Sequence, residues 1–417
     1  MTVDAGKVFE RMRAHLPPRL ALTGSFAGQG AVEASAQGSR VTLSDGRRAL
    51  DFGSYAVALL GHRHPDVVAA VRAQLDVMPT STRTLANPAA AEAAAALSGY
   101  FGDVLPRVYL GLNGSDTVEV ATKLARLVTG RRRVLAVEGA FHGKTLGALA
   151  LTHRPEFRRG LEGSLAECVH VAADDPDAVE RYVRNGDVAA LVVEPVQGEN
   201  GVRALDRRVL AAWCASAGRH GTPVIADEIQ CGLRRCGERS LALTWGLPVD
   251  AVLVGKPLGG GVVPLSGAVF SERLYRPLTA DPFLHSATFG GHPLSCAALP
   301  AALRAIEELA PRGRQIETAM RTGLRRIAAV HPHAIAGVRG RGLLWGLDLT
   351  GPALAGELMV GLAAAGLLVS PCLSRPTTLR LMPPLVASDA DLAEALAVLD
   401  AQLTSAARAT VASGTQR

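Results

Sequence analysis

Aromatic side chains are scarce in this chain: nine Phe, five Tyr and three Trp make up 4% of 417 residues. Its core therefore has to be filled mainly by Ala, Leu and Val. Cysteine is also rare, six residues scattered from Cys168 to Cys372, too few and too dispersed for the disulfide framework of a small secreted domain. Cys231 and Cys236 lie close together, but no second Cys or His pair completes a zinc site. Long apolar runs are missing, since no segment reaches the roughly eighteen residues a membrane span needs. Met1 to Leu20 carries charge throughout, with no apolar stretch of signal-peptide length. The net charge of +6 is modest, and no basic stripe is interleaved with stacking aromatics, which argues against a nucleic-acid partner. A cytoplasmic protein with no metal, membrane or nucleic-acid partner is the expectation. Lysine is nearly absent: Lys7, Lys123, Lys144 and Lys256 stand against 40 arginines.

What is present is enough apolar sequence for more than one core. Hydrophobic residues make up 48% and charged residues 20%, as in ordinary globular enzymes, and 417 residues exceed what one core holds. From about residue 100 to 270, short apolar runs alternate with longer helical patterns. The runs 107–112, 133–138, 188–194, 223–227, 251–255 and 265–270 read as strands buried on both faces of a mostly parallel sheet. Helices over 117–129 and 206–220 would cover those faces. The first fifty residues read as weak strands around a turn at Ser44-Asp45-Gly46. Beyond Pro293 helical patterns dominate, over 295–309, 314–329, 353–365 and 389–403, with strands near 342–349 and 378–382. The expected fold class is α/β: residues 51–300 form a large sheet domain, and 1–50 join 301–417 in a smaller α+β domain.

The chemistry concentrates at strand ends. Lys256 follows the apolar run Ala251-Val-Leu-Val and precedes Pro257-Leu-Gly-Gly-Gly261. A chain that otherwise chooses Arg keeps Lys here. A guanidinium cannot form an imine with an aldehyde, whereas a partly desolvated amine can. Asp227 ends the run Pro223-Val-Ile-Ala, and ligands of α/β sheets collect at such carboxyl ends. There it either caps the following helix or holds a pyridine nitrogen protonated, with Gln230 in reach of a phenolic oxygen. Asn113-Gly-Ser-Asp116 lies between a strand and a helix, so Gly114 and Ser115 could close on a phosphate. Gly-x-Gly-x-x-Gly and a Walker lysine are both lacking, which lowers dinucleotide and nucleoside-triphosphate readings. Phe141, in Glu138-Gly-Ala-Phe-His142-Gly-Lys144, follows another strand and either stacks on a heteroaromatic ring or belongs to the core.

Together these segments resemble the class III (ornithine and ω-amino acid) aminotransferases, from roughly Val41 to Leu403. The most specific part is Asp227-Glu-Ile-Gln-Cys-Gly-Leu followed by Gly255-Lys256-Pro-Leu-Gly-Gly-Gly. The resemblance implies the fold-type I architecture and pyridoxal phosphate, with Lys256 as the Schiff-base and proton-shuttling lysine and Asp227 on the ring nitrogen. It also implies cofactor contacts from Gln230, Ile229, Phe141, His142, Glu194, Gly114 and Ser115. Thr288 would reach the phosphate of the neighbouring subunit, so a homodimer with shared active sites follows. Tyr55, Lys144, Glu199 and Arg380 would contact substrate, with Glu199 pairing with Arg380 or releasing it according to the amino donor. The implied reaction is ping-pong transamination from an amino donor, L-glutamate, to a keto acid or terminal aldehyde. A racemase, epimerase or decarboxylase on the same scaffold is the alternative. Two departures stand out: Lys144 replaces the usual arginine, losing the bidentate fork, and Asn113-Gly-Ser-Asp116 replaces the commoner Ser-Gly-(Thr/Ala)-Glu.

Overall fold

The apolar runs between residues 107 and 270 join in one seven-stranded sheet in the computed structural model, which describes residues 3–414. From edge to edge its strands are Arg107–Gly111, Ser266–Phe270, Ala251–Val254, Val224–Asp227, Val188–Val193, Arg133–Val137 and Cys168–Val171. Six of them match the expected runs to within one residue at each end. Ser266–Phe270 runs antiparallel to both neighbours, and the remaining pairs are parallel. Val188–Val193 is buried at every position, because helices cover both faces of a central parallel strand.

The edge strand Cys168–Val171 was not anticipated. It has four residues, one a histidine, and is only partly buried, so it carries little of the apolar signal of the interior strands.

Helix Gly114–Thr129 shows how the sequence fixes an element that later matters. The Asn113 side chain accepts from Asp116 N at 3.1 Å and caps its start, while Gly130, at φ 69°, ends it in the left-handed conformation. Its buried face, including Val118, Ala121, Leu124 and Ala125, packs on the sheet.

The chain divides into two compact units, Pro65–Glu308 and the residues up to His64 together with those from Leu309 onward. These boundaries fall at 64 and 308, against the expected 50 and 300. The second unit holds two four-stranded sheets. One is Glu33–Gln37, Arg40–Leu43, Arg48–Asp51 and Leu367–Leu368; the other is Ile335–Arg341, Leu344–Leu349, Thr378–Leu381 and Ser370–Pro371. Two helices, Ala5–His15 and Pro18–Gly28, precede the expected N-terminal strands. They bury little beyond Phe9 and Ala21, and the first is polar overall. The expected separate helices over 295–309 and 314–329 are one helix, Pro293–Val330, of 38 residues. Pro300 and Pro311 both lie inside it, yet the helix continues through them, accepting two lost backbone hydrogen bonds.

One turn of this unit is backbone-strained. Ser54, Tyr55 and Ala56 have φ of 41°, 49° and 67°, a run of non-glycine residues in the left-handed region that costs on the order of 1–3 kcal/mol per residue. Asp51 holds it. Its Oδ1 accepts Gly53 N at 2.9 Å, and its Oδ2 accepts the Ser54 hydroxyl and His62 Nε2, the latter at 2.8 Å. Burial alone would raise the Asp51 carboxyl, but the bonds from His62, Ser54 and Gly53 outweigh it and hold the group below its ordinary value. Asp51 in turn raises His62.

The depressed carboxyl stabilises above its unfolded pKa and loses that contribution as pH falls through the folded one. The raised imidazole stabilises below its unfolded pKa and loses its contribution as pH rises through the folded one. The pair is thus fully effective between about pH 4 and pH 6.5. Asp51→Asn is expected to cost roughly 1–3 kcal/mol in that window, read by denaturant unfolding across pH. A loss that is the same at every pH contradicts the assignment.

Candidate active site

The parallel strands point their carboxyl ends the same way, so the segments that follow them meet above one edge of the sheet. Gly114 and Ser115 follow Arg107–Gly111, Phe141 and His142 follow Arg133–Val137, and Glu194 and Glu199 follow Val188–Val193. Asp227 ends its own strand, Ile229 and Gln230 come next, and Lys256 lies two residues beyond Val254. All of these residues, with Gly143, line a single cavity of about 160 Å³.

Lys256 is half-buried and has φ 43°, a left-handed conformation for a residue with a Cβ. Such strain persists where the surroundings over-determine the backbone. Asp227 is 5% exposed. Its Oδ1 accepts Ile229 N at 3.1 Å and its Oδ2 lies 2.7 Å from His142 Nδ1. A carboxylate can only accept, so Nδ1 carries the proton, and Nε2 is buried without a partner. His142 is fixed in turn by Thr152, whose hydroxyl accepts His142 N at 3.0 Å and donates to Gly143 O at 2.9 Å.

The turn at Gly114 is similarly pinned. Ser266 Oγ donates to Asn113 O at 2.8 Å, and Thr117 Oγ1 to Gly114 O at 2.7 Å. A Cβ on Gly114 would come within 2.9 Å of Ile229, and one on Gly143 within 2.2 Å of Ser115 Oγ. Small residues here keep a cradle open beside the helix N-terminus. Gln230 Nε2 donates to Glu199 Oε1 at 3.1 Å, and a Cβ on Gly198 would strike the Gln230 amide at 1.4 Å. Glu194 Oε2 accepts Phe141 N at 2.9 Å. Burial, followed by the charge of Asp227, pushes the Glu194 carboxyl well above the ordinary carboxylate range, against the opposing pull of Phe141 N–H and Lys256.

Residues 29–403 match the family described as aminotransferase class-III. This chain belongs to the class-III aminotransferase family. A putrescine aminotransferase of Pectobacterium atrosepticum is 35% identical over 371 residues, covering 85% of this chain and 79% of that protein. An acetylornithine aminotransferase of Mycolicibacterium smegmatis is 36% identical over 376 residues, covering 89% and 93%. The crystal structure of an ornithine aminotransferase from Toxoplasma gondii superposes with a TM-score of 0.87 at 27% identity, covering 97% of this chain and 96% of that one. The chain is therefore an aminotransferase of fold type I that uses pyridoxal phosphate.

The cavity fits that cofactor. It brings together an amine, a buried carboxylate braced by an imidazole, an aromatic and an aliphatic side chain, and a glycine-lined helix start. Nine of the ten cofactor contacts implied by the resemblance line it. The tenth, Thr288, is exposed and lines a different cavity of the same unit, where Arg83 donates to Thr288 O at 3.1 Å. Lys144 is exposed, with Nζ 4.4 Å from the Phe157 ring centroid. Tyr55, 64% exposed, and Arg380, wholly buried in Thr378–Leu381, belong to the other unit. Sequence reasoning missed the His142–Asp227 bond, Thr152 and Gly143. The glycine beside Phe141-His142 was the one local signal, because the paired residues lie 85 positions apart.

Proposed function

We propose that this aminotransferase takes its amino group from L-glutamate and delivers it to a keto acid or a terminal aldehyde in a ping-pong sequence. The observation that carries the reading is the convergence of Lys256, Asp227, Glu199 and Gln230 on one cavity. Pyridoxal phosphate supplies the carbonyl that takes up nitrogen and the ring that accepts an electron pair. Lys256 would hold it covalently, and Lys256 Nζ, when free, would carry the 1,3-proton transfer between the donor α-carbon and the carbon across the nitrogen. Asp227, oriented by Ile229 N and His142, keeps the ring nitrogen protonated. Gly114 and Ser115 bind the phosphate, Ile229 and Phe141 flank the ring, and Gln230 takes the phenolic oxygen.

By the family resemblance Arg380 reads the carboxylate of glutamate, and Glu199 is the second charge of the donor switch. Tyr55 and Lys144 line the substrate path. The enzyme works in the cytoplasm as a homodimer, with Thr288 completing the neighbour's phosphate site. A terminal-amine product accords with the putrescine and acetylornithine enzymes among its relatives.

The test is an absorbance spectrum of the cofactor-loaded protein before and after adding L-glutamate alone. Conversion of the band to that of the aminated cofactor is expected. A band that glutamate leaves untouched removes the donor and raises the racemase and decarboxylase readings.

A further inference from the structure

Glu194 follows the fully buried strand Val188–Val193 and lines the cavity together with Asp227 and Glu199, so three carboxyl groups share about 160 Å³. They are not equally provided for. Asp227 has the His142 imidazole and Ile229 N, and Glu199 has the Gln230 amide. Glu194, 6% exposed, takes a neutral peptide N–H from Phe141 on Oε2. The charged and titratable groups facing it are Asp227, Glu199 and Lys256, with His142 behind Asp227, and the buried Cys231 thiol, which burial pushes up and keeps neutral. A cofactor phosphate adds further negative charge to the same space. Carboxyl groups crowded at low dielectric do not all ionise, and the one least provided for keeps its proton.

We propose that Glu194 works as a neutral carboxylic acid, donating a hydrogen bond from Oε1 to an anionic oxygen of bound pyridoxal phosphate. The inference rests on the reading that this cavity holds the cofactor. A protonated acid is the stronger donor toward an oxyanion, whereas a third carboxylate would repel it. The upward displacement of this carboxyl, caused first by burial and then by Asp227, runs the same way.

The test is infrared spectroscopy of the cofactor-loaded full chain. At neutral pH the wild type is expected to show the carbonyl stretch of a protonated carboxylic acid, shifted by isotopic labelling of glutamate and absent from Glu194→Gln. Labelling separates glutamic from aspartic acid, and loss of the band in Glu194→Gln separates Glu194 from Glu228, whose buried carboxyl is also pushed up. Glu194→Asp, which keeps a carboxyl, is expected to keep a protonated-acid band that glutamate labelling no longer shifts. In parallel, the wild-type dissociation constant for pyridoxal phosphate is expected to rise relative to that of Glu194→Gln as the band titrates away, by about tenfold per pH unit of ionisation. A neutral-pH wild type without a glutamic acid band, or a ratio of constants that stays level with pH, overturns the proposal. Failure of the glutamate half-reaction leaves the band in place, so the two readings fail separately.

Discussion

Lys256→Ala is expected to lower turnover by on the order of 10⁴-fold, because in the proposed mechanism it removes both the covalent attachment and the proton carrier. The remaining cavity wall is unchanged, so pyridoxal phosphate should still bind, held by Gly114, Ser115 and Asp227 and released on dialysis. Lys256→Arg separates the two roles a cation could have here. If the site needed only positive charge beside Asp227, Glu194 and Glu199, arginine would restore much of the activity. If it needs an amine that forms an imine, arginine is as inactive as alanine, since guanidinium is neither nucleophilic nor readily deprotonated. Equal loss in both variants, together with loss of the attached-cofactor absorbance, is the expected result. Substantial turnover by Lys256→Arg would remove Lys256 from its assigned role. The left-handed backbone at Lys256 adds a structural control. Neither substitution introduces a residue that tolerates φ 43° better than lysine does, so altered strain does not explain a difference between them.

The legible part of this site was the part encoded next to strands. Each of Gly114, Phe141, Glu194, Asp227 and Lys256 follows or ends an apolar run, and a parallel sheet places all such positions at one edge. Local sequence therefore carried global position. It failed where position depends on partners remote in the chain. Nothing around His142 marks Asp227 as its acceptor, and nothing around Thr152 marks it as the support of His142. The N-terminal helices were invisible for the opposite reason. Capped by Asp4 and begun by Pro18, they have good local start signals but bury almost nothing, and those start signals were not weighed. The break expected between 309 and 314 is absent because helical sequence on both sides carries the helix through Pro311.

Asp227→Asn tests the electronic half of the site. The side chain keeps its size, and its remaining oxygen can still accept from Ile229 N, now 3.1 Å away. The amide cannot carry the charge that keeps a ring nitrogen protonated, and it offers His142 Nδ1 either a weaker acceptor or an opposing N–H. Single-turnover proton abstraction is therefore expected to slow on the order of 10³-fold, while KM for the donor changes little, because the substrate contacts proposed above are Glu199, Arg380 and Tyr55 and not Asp227. Asp227→Glu, which keeps the charge but advances it by a methylene toward the cavity, should recover part of the rate and bind the cofactor less well. The two variants together distinguish charge from shape. If Asp227 merely capped the turn that begins at Glu228, asparagine, an equally good cap, would leave the rate intact. If its charge drives the chemistry, the asparagine variant is slow with cofactor still in place, and the glutamate variant is the faster of the two.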